Sequence, residues 1–336
     1  MSNKIKIAVD AMGSDNAPIA DITGSIKSIK DSKETDFDII LVGDKDKLNF
    51  ELSKHNNYDK SRITIHHASD VITMKDEPAL AVRSKRESSI VKGINLHKDS
   101  GADAFISAGN TGAVMAASTL ILGRIKGVSR PTIAALFPST QGFTVVADVG
   151  ANVDTKPQNL YEFAVMTSIY AEQILGYINP TIALLSVGEE ESKGDERTQE
   201  AYKLIKQSKL NFVGNVEGRD ILGNKARVII CDGFSGNVVL KLTESIPKLL
   251  KTKLVEFSKK SLFNKLITGL SKGTLKKVLE ELDYQEYGGV PLLGVNGVTI
   301  IGHGSSNEKA MKNMILKARE MVIKQVNMRI AEELSN

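Results

Sequence analysis

The residues best suited to chemistry in this sequence lie in short glycine-rich stretches that follow apolar runs. The densest is RVIICDGFSGNVVLK, residues 227–241. There Val228, Ile229 and Ile230 stop at Cys231 and Asp232, Gly233 and Gly236 follow, and Asn237 opens a helix-like pattern. That is the pattern of a buried strand running into a tight turn and a helix. Such a corner binds anions, because glycines let the backbone come close and the first helical N–H groups have no partner within the helix. Further stretches repeat the theme: DAMGSDNAP (10–18), SAGNTGAVM (107–115), ADVGANVDTKP (147–157), SVGEEESKG (186–194) and GHGSSN (302–307). Each alone is an ordinary strand-to-helix loop. Together on the carboxyl rim of one sheet they would form a shared site for an anion or small substrate.

The elements that carry these loops alternate in type. Strand-like runs occur at 5–9, 38–42, 63–66, 104–106, 132–136, 144–147, 181–186, 212–216, 228–230 and 298–301. Helix-like patterns lie between several of them, at 17–31, 79–97, 111–122, 160–175 and 195–207, and one long helix is expected over 307–334. Alternation of this kind predicts a three-layer α/β/α fold with helices on both faces of a sheet. The 336 residues read as one catalytic α/β unit of two lobes, with no internal repeat or low-complexity linker.

One segment departs from that pattern. Residues 248–277 hold nine lysines and a single glutamate, a net of +8 in a chain of net +4, so the remainder carries −4. Apolar residues recur there at helical spacing, and Gly269 and Gly273 permit a turn. The reading is a projecting amphipathic helical hairpin over 244–284. Its tip brings Leu262, Phe263, Leu266, Ile267 and Leu270 together beside Lys259 and Lys260. Either it is a dimerisation hairpin with a solvated face, or it is an anchor on anionic lipid. Its lysines would also steer an acidic partner. No tryptophan and few aromatics argue against nucleic acid.

Other classes are excluded by what is missing. No G-x-G-x-x-G follows a strand, no G-x-x-x-x-G-K-[ST] occurs, no histidine cluster has metal-ligand spacing, and there is no G-x-S-x-G. No cofactor and no metal are therefore expected. One cysteine precludes an internal disulfide. With no apolar leader and no membrane-length run, a cytoplasmic protein is expected.

Taken in order, these motifs resemble the bacterial phosphate acyltransferases of phospholipid synthesis (the PlsX family). The matching stretches are IAVDAMGSDNAP, ASDVITMKDEPALAVRSKRESSI, SAGNTGAVM, DVGANVDTKPQNLYEFAVM, SVGEEESKG, DGFSGNVVLK, EYGGVPLLGVNG and IGHGSS. Ser14 stands where that family usually has a second glycine, which asks whether the turn needs a positive φ. The resemblance implies a fold like phosphotransacetylase and isocitrate or isopropylmalate dehydrogenase, in a homodimer. It implies transfer of a long-chain acyl group from acyl-acyl carrier protein to inorganic phosphate. The acyl phosphate product would feed a membrane glycerol-3-phosphate acyltransferase, so peripheral membrane association is expected. A soluble phosphotransacetylase acting on acyl-CoA is the alternative.

Phosphate attack on a thioester needs a held phosphate and donors aimed at the oxyanion. Lys193 is the first choice for a phosphate or carbonyl clamp, against a solvated loop lysine. Asn237 either donates to the oxyanion or caps a helix. Asp232 either orients Lys193 or a phosphate proton, or anchors its turn. Asn110, Thr111 and Gly112 offer a phosphate cradle or a capping turn. His303, with Ser305 beside it, either protonates the leaving thiolate or is structural. Asp10, Asp15 and Asn16 hold the first loop, where Asp10 and Gly13 are candidates for substrate or phosphate binding; Asp148 and Asn152 line the cleft as further candidates. Cys231 reads as buried packing rather than as a nucleophile.

Overall fold

The computed structural model describes residues 4–31, 36–271, 273–275 and 284–335. Its strands are β1 (Ile5–Asp10), β2 (Phe37–Gly43), β3 (Ile63–His67), β4 (Ala104–Ser107), β5 (Thr132–Ser139), β6 (Gly142–Ala147), β7 (Ile182–Leu185), β8 (Phe212–Val216), β9 (Val228–Ile230), β10 (Val290–Leu293) and β11 (Val298–Ile301). Its helices are α1 (Ile19–Asp31), α2 (Lys45–Leu52), α3 (Pro78–Ser84), α4 (Ser89–Lys98), α5 (Thr111–Ala117), α6 (Pro157–Leu175), α7 (Glu196–Lys206), α8 (Gly233–Ser258), α9 (Leu262–Leu270), α10 (Glu308–Ile323) and α11 (Val326–Leu334).

All these strands join one sheet in the order β3-β2-β1-β4-β11-β10-β5-β6-β9-β7-β8. Successive side chains of a strand point to opposite faces, so a strand covered on both sides is apolar at every position. In β1, Ile7 and Val9 join one buried cluster while Ala8 joins the other. Helices α1, α6, α10 and α11 supply the first cluster; α3, α4 and α5 supply the second. This is the expected three-layer α/β/α arrangement.

The sheet is not uniformly parallel. β3, β2, β1, β4 and β11 run together, and β6, β9, β7 and β8 run together. Between them β10 is antiparallel to β11 and to β5, and β5 is antiparallel to β6. The two halves therefore point opposite ways. The glycine-rich loops after β1, β4 and β11 leave one edge, and those after β6, β7 and β9 leave the other. The expectation of a single carboxyl rim is corrected accordingly. β10 is the strand missing from the sequence reading, because Pro291 and the glycines around it hide a short strand.

Several expected helices break. The 79–97 pattern divides into α3 and α4, each with its own cap, Glu77 and Ser88. The C-terminal helix divides at Gln325, whose φ is +53°. α8 runs for 26 residues through Pro247, and Ser261 caps α9. These form the first arm and the tip of the expected hairpin. Most of its returning arm, including Val278, Leu279 and Leu282, lies outside the described residues. No helix among the described residues is long and apolar enough to cross a membrane.

Candidate active site

The corner at 232–237 is built by close packing, and part of its hydrogen-bonding capacity is used within the protein. Asp232, not Asn237, caps α8, accepting from Ser235 N at 2.9 Å. The Gly233 N–H donates to Asn152 O at 2.8 Å, and the Gly236 N–H donates to Asp232 O at 3.0 Å. The Gly236 bond is the first of the helix ladder, and two of the N–H groups left free by that ladder, those of Gly233 and Ser235, are spent within the protein. A Cβ at Gly236 would stand 1.9 Å from the Asp148 carbonyl oxygen, so only glycine lets α8 lie this close to the 148–152 loop. Gly233 faces the backbone of Asn152 in the same way.

Asp232 does not meet Lys193. Its Oδ2 accepts from Arg197 Nη2 at 3.1 Å and from Ser235 Oγ at 2.9 Å. Arg197 also donates to Asp195 Oδ2 at 2.8 Å and Thr155 Oγ1 at 3.1 Å, tying α7, α8 and the 148–156 loop together. Lys193 is exposed on the loop after β7.

Several predicted ligands hold loops instead. The buried Asp148 accepts from Ile133 N, Gly150 N, Ala151 N and Asn152 N, and from Asn152 Nδ2 at 2.9 Å. Asn152 Nδ2 also donates to Pro131 O at 2.7 Å. The Asn110 side chain caps α5 and donates to the carbonyls of Thr73 and Asp76, while Gly112 abuts Pro78. Asp10 is buried and joins the β1 and β4 loops, accepting from Ser107 Oγ at 2.6 Å and Met12 N at 3.1 Å. Gly13 sits against it; a Cβ there would stand 2.3 Å from Asp10 Oδ2. Burial pushes the carboxyls of Asp10 and Asp148 above the usual range despite these bonds.

Ser14 answers the question it raised. It has no positive φ, and its Oγ donates to Asp21 Oδ2 at 2.9 Å. Asp21 is buried in the first turn of α1, and desolvation pushes its pKa up to about 7, with nearby Asp10 adding to the rise. Cys231 is buried, with its Sγ 3.4 Å from Asp148 O. Burial, with the Asp232 and Asp148 carboxylates nearby, raises its thiol well above the ordinary value. A thiol held protonated and out of reach is a packing group.

Loops from both edges of the sheet meet over its central strands. There a cleft of about 480 Å³ has Ile133, Leu136, Val149, Leu240, Val290 and Ile301 as an apolar wall. Asp15, Thr111, Asn237, Lys241, Glu244, Tyr287 and His303 supply its polar groups. Of the predicted residues it gathers Thr111, Asn237 and His303, and it omits Lys193, Asp232, Asn110 and Asn152. His303 Nδ1 accepts from Ser305 N at 3.2 Å and lies 2.8 Å from Ser305 Oγ. A neutral ring with that acceptor carries its proton on Nε2. Lys241, which sequence reasoning passed over, pairs with Glu244 at 2.7 Å. Its signal was helical spacing: Asn237, Lys241 and Glu244 stand at i, i+4 and i+7 on α8, hence on one face.

The fold and this cleft define a class. Solved structures with the same fold include the EutD phosphotransacetylase of Staphylococcus aureus, at TM-score 0.60 and 16% identity over 95% of this chain and 94% of that one. A phosphotransacetylase from Streptococcus pyogenes matches at TM-score 0.61 and 18% identity, over 96% and 95% of the two chains. Sequence is more specific. A family described as fatty acid synthesis protein matches residues 5–329. A phosphate acyltransferase of Halothermothrix orenii is 48% identical over 98% of this chain and 99% of its own length. One from Chlorobaculum parvum is 46% identical over 98% and 99%. The chain belongs to this fatty acid synthesis protein family, and it is an acyltransferase.

Proposed function

We propose that the chain transfers a long-chain fatty acyl group from the thioester of an acyl carrier protein to inorganic phosphate. A phosphate oxygen attacks the thioester carbonyl, the tetrahedral intermediate collapses with loss of the C–S bond, and the carrier leaves as its thiol. The observation that carries the reading is a cleft whose polar end and apolar wall adjoin, in a chain whose relatives are named phosphate acyltransferases. The apolar wall suits the acyl chain. Thr111 and Lys241 face the cleft as phosphate ligands, and the Asn237 amide donates to the developing oxyanion. The His303 Nε2–H hydrogen-bonds the departing sulfur, and the proton that makes the thiol comes from the attacking hydrogen phosphate. Phosphate dianion is itself the nucleophile, so neither a covalent acyl-enzyme nor Cys231 is required.

Lys193, Asp10, Gly13, Asn110, Gly112, Asp148, Asn152, Asp232, Gly233 and Gly236 then act by holding or flanking the loops. The exposed tip supports membrane association: Leu262 is 87% exposed, Phe263 69% and Leu270 79%, beside Lys259 and Lys260. A homodimer that rests this tip on an anionic membrane would pass acyl phosphate to a membrane glycerol-3-phosphate acyltransferase. The test is incubation with long-chain acyl carrier protein and phosphate. Phosphate-dependent release of free carrier protein is expected. Release from acyl-CoA alone, with none from acyl carrier protein, would refute the reading.

A further inference from the structure

A second groove, of about 680 Å³, lies behind the loops that frame the cleft. Arg83, Arg124 and Arg130 line it, and no acidic residue does. All three are exposed. Arg130 Nη1 donates to the Asp154 carbonyl at 3.0 Å, and Arg124 donates to the Ser129 carbonyl. Backbone carbonyls orient these two guanidinium groups without neutralising them. Among the described residues none of the three arginines is paired with a carboxylate. Three uncompensated, weakly hydrated cations around one concave surface are a site for a multiply charged anionic partner.

The floor between them is apolar, including Met115 and the 56%-exposed Leu120, so the partner must offer apolar contact as well as negative charge. The groove also touches the cleft wall at three places. Gly112 lines the groove and Thr111 the cleft; Pro131 lines the groove and Ile133 the cleft; Asn152 lines the groove and Gly150 the cleft. Residues one or two apart in the chain are at most about 7 Å apart. Whatever docks in the groove therefore lies against the loops that carry Thr111 and Gly150 into the cleft. The lysines of the hairpin tip do not: Lys259 is 22 residues along α8 from Asn237, about 33 Å at 1.5 Å per residue.

We infer that the Arg83–Arg124–Arg130 groove is the docking surface for the acidic protein that carries the acyl thioester. The inference rests on the proposed reaction and gives it a place of entry. The carrier's acidic face pairs with the arginines, its apolar residues cover Leu120 and Met115, and its arm passes the shared loops into the cleft. Phosphate enters the cleft independently.

The test uses the full-length protein with Arg83→Glu and, separately, Arg130→Glu. Arg83 is in the last turn of α3 and is exposed, so its replacement leaves the core intact. The KM for acyl carrier protein should rise about tenfold in each variant while kcat and the KM for phosphate stay unchanged. Binding of carrier protein, read by fluorescence anisotropy, should weaken by the same factor, and its dependence on salt should become shallower. Unchanged carrier KM and anisotropy in both variants would overturn the inference. So would a rise in the KM for phosphate instead, which would make the groove an inorganic anion site. Absence of carrier-dependent turnover in the unaltered protein is a failure of the proposed reaction, and anisotropy then still decides the docking surface.

Discussion

Replacing Gly236 with alanine tests whether the close approach of α8 to the 148–152 loop sets the active site. The new Cβ would stand 1.9 Å from the carbonyl oxygen of Asp148 and 3.0 Å from Cys231 Sγ. A carbon and a carbonyl oxygen need more than 3 Å, so α8 or the loop must yield by more than 1 Å. Neither is free to do so. Asp148 accepts hydrogen bonds from four backbone N–H groups, and the start of α8 is bonded to Asn152. Overpacking against fixed backbone costs about 3 kcal/mol, at the upper end of the usual range. Alanine in place of glycine within a helix returns about 1 kcal/mol, leaving a net loss of about 2. Asn237 is the next residue, and a displacement of about 1 Å at a reacting group lowers turnover by about 100-fold.

The control is Gly269→Ala in α9, where no atom lies within 4 Å of the added carbon. There the helix term acts alone, and a gain of up to about 1 kcal/mol is expected with turnover unchanged. Urea denaturation gives the stabilities, and release of carrier thiol from acyl carrier protein gives the rates. If Gly236→Ala kept both its midpoint and its turnover, the argument that packing sets the position of Asn237 would be wrong.

Further consequences concern charge. Asp21 is protonated in the fold up to about pH 7 but ionised in the unfolded chain above about 4. The folded state thus holds the extra proton between those values, and its stability should fall as pH rises through that window, by up to about 4 kcal/mol. Asp21→Asn should flatten this slope in urea melts taken at pH 4.5 and 7.5; an unchanged slope would assign it elsewhere. Lys241→Ala should raise the KM for phosphate far more than Lys193→Ala does, and the reverse order would return the clamp to the β7 loop. Charge reversal of Lys259 and Lys260 should weaken sedimentation with anionic vesicles, while unchanged sedimentation would remove the membrane role of the tip.

How much of this was legible beforehand differs from element to element. Strands buried on both faces, such as β1 and β9, announce themselves as apolar runs. Asp195 marks a helix start in any context, whereas the cap at Ser88 lay hidden inside the single helical pattern read over 79–97. β10 was not legible: with Pro291 inside it, local propensity argues against a strand that only its neighbours β11 and β5 stabilise. The same limit applied to Asp232. Its capping role is local and could be read, whereas its partner Arg197 lies 35 residues away and could not.

The sequence by itself determined the α/β class, the loops in which polar residues collect, the basic apolar tip, and the family. The first three follow from spacing, composition and local geometry, which do not depend on where distant segments go, and the family follows from the resemblance of the motifs taken in order. The tertiary structure alone decided which polar residues face a common space. Reversal of strand direction at β10 and β5 brings the loops in from two edges of the sheet. Close packing at Gly236 then turns Asp148 and Asn152 into scaffolding, and the Gly233 and Ser235 N–H groups are spent on the protein itself. Asn237, Lys241 and His303 are left facing the cleft, because which side of a helix or loop is open is fixed by what packs on the other side.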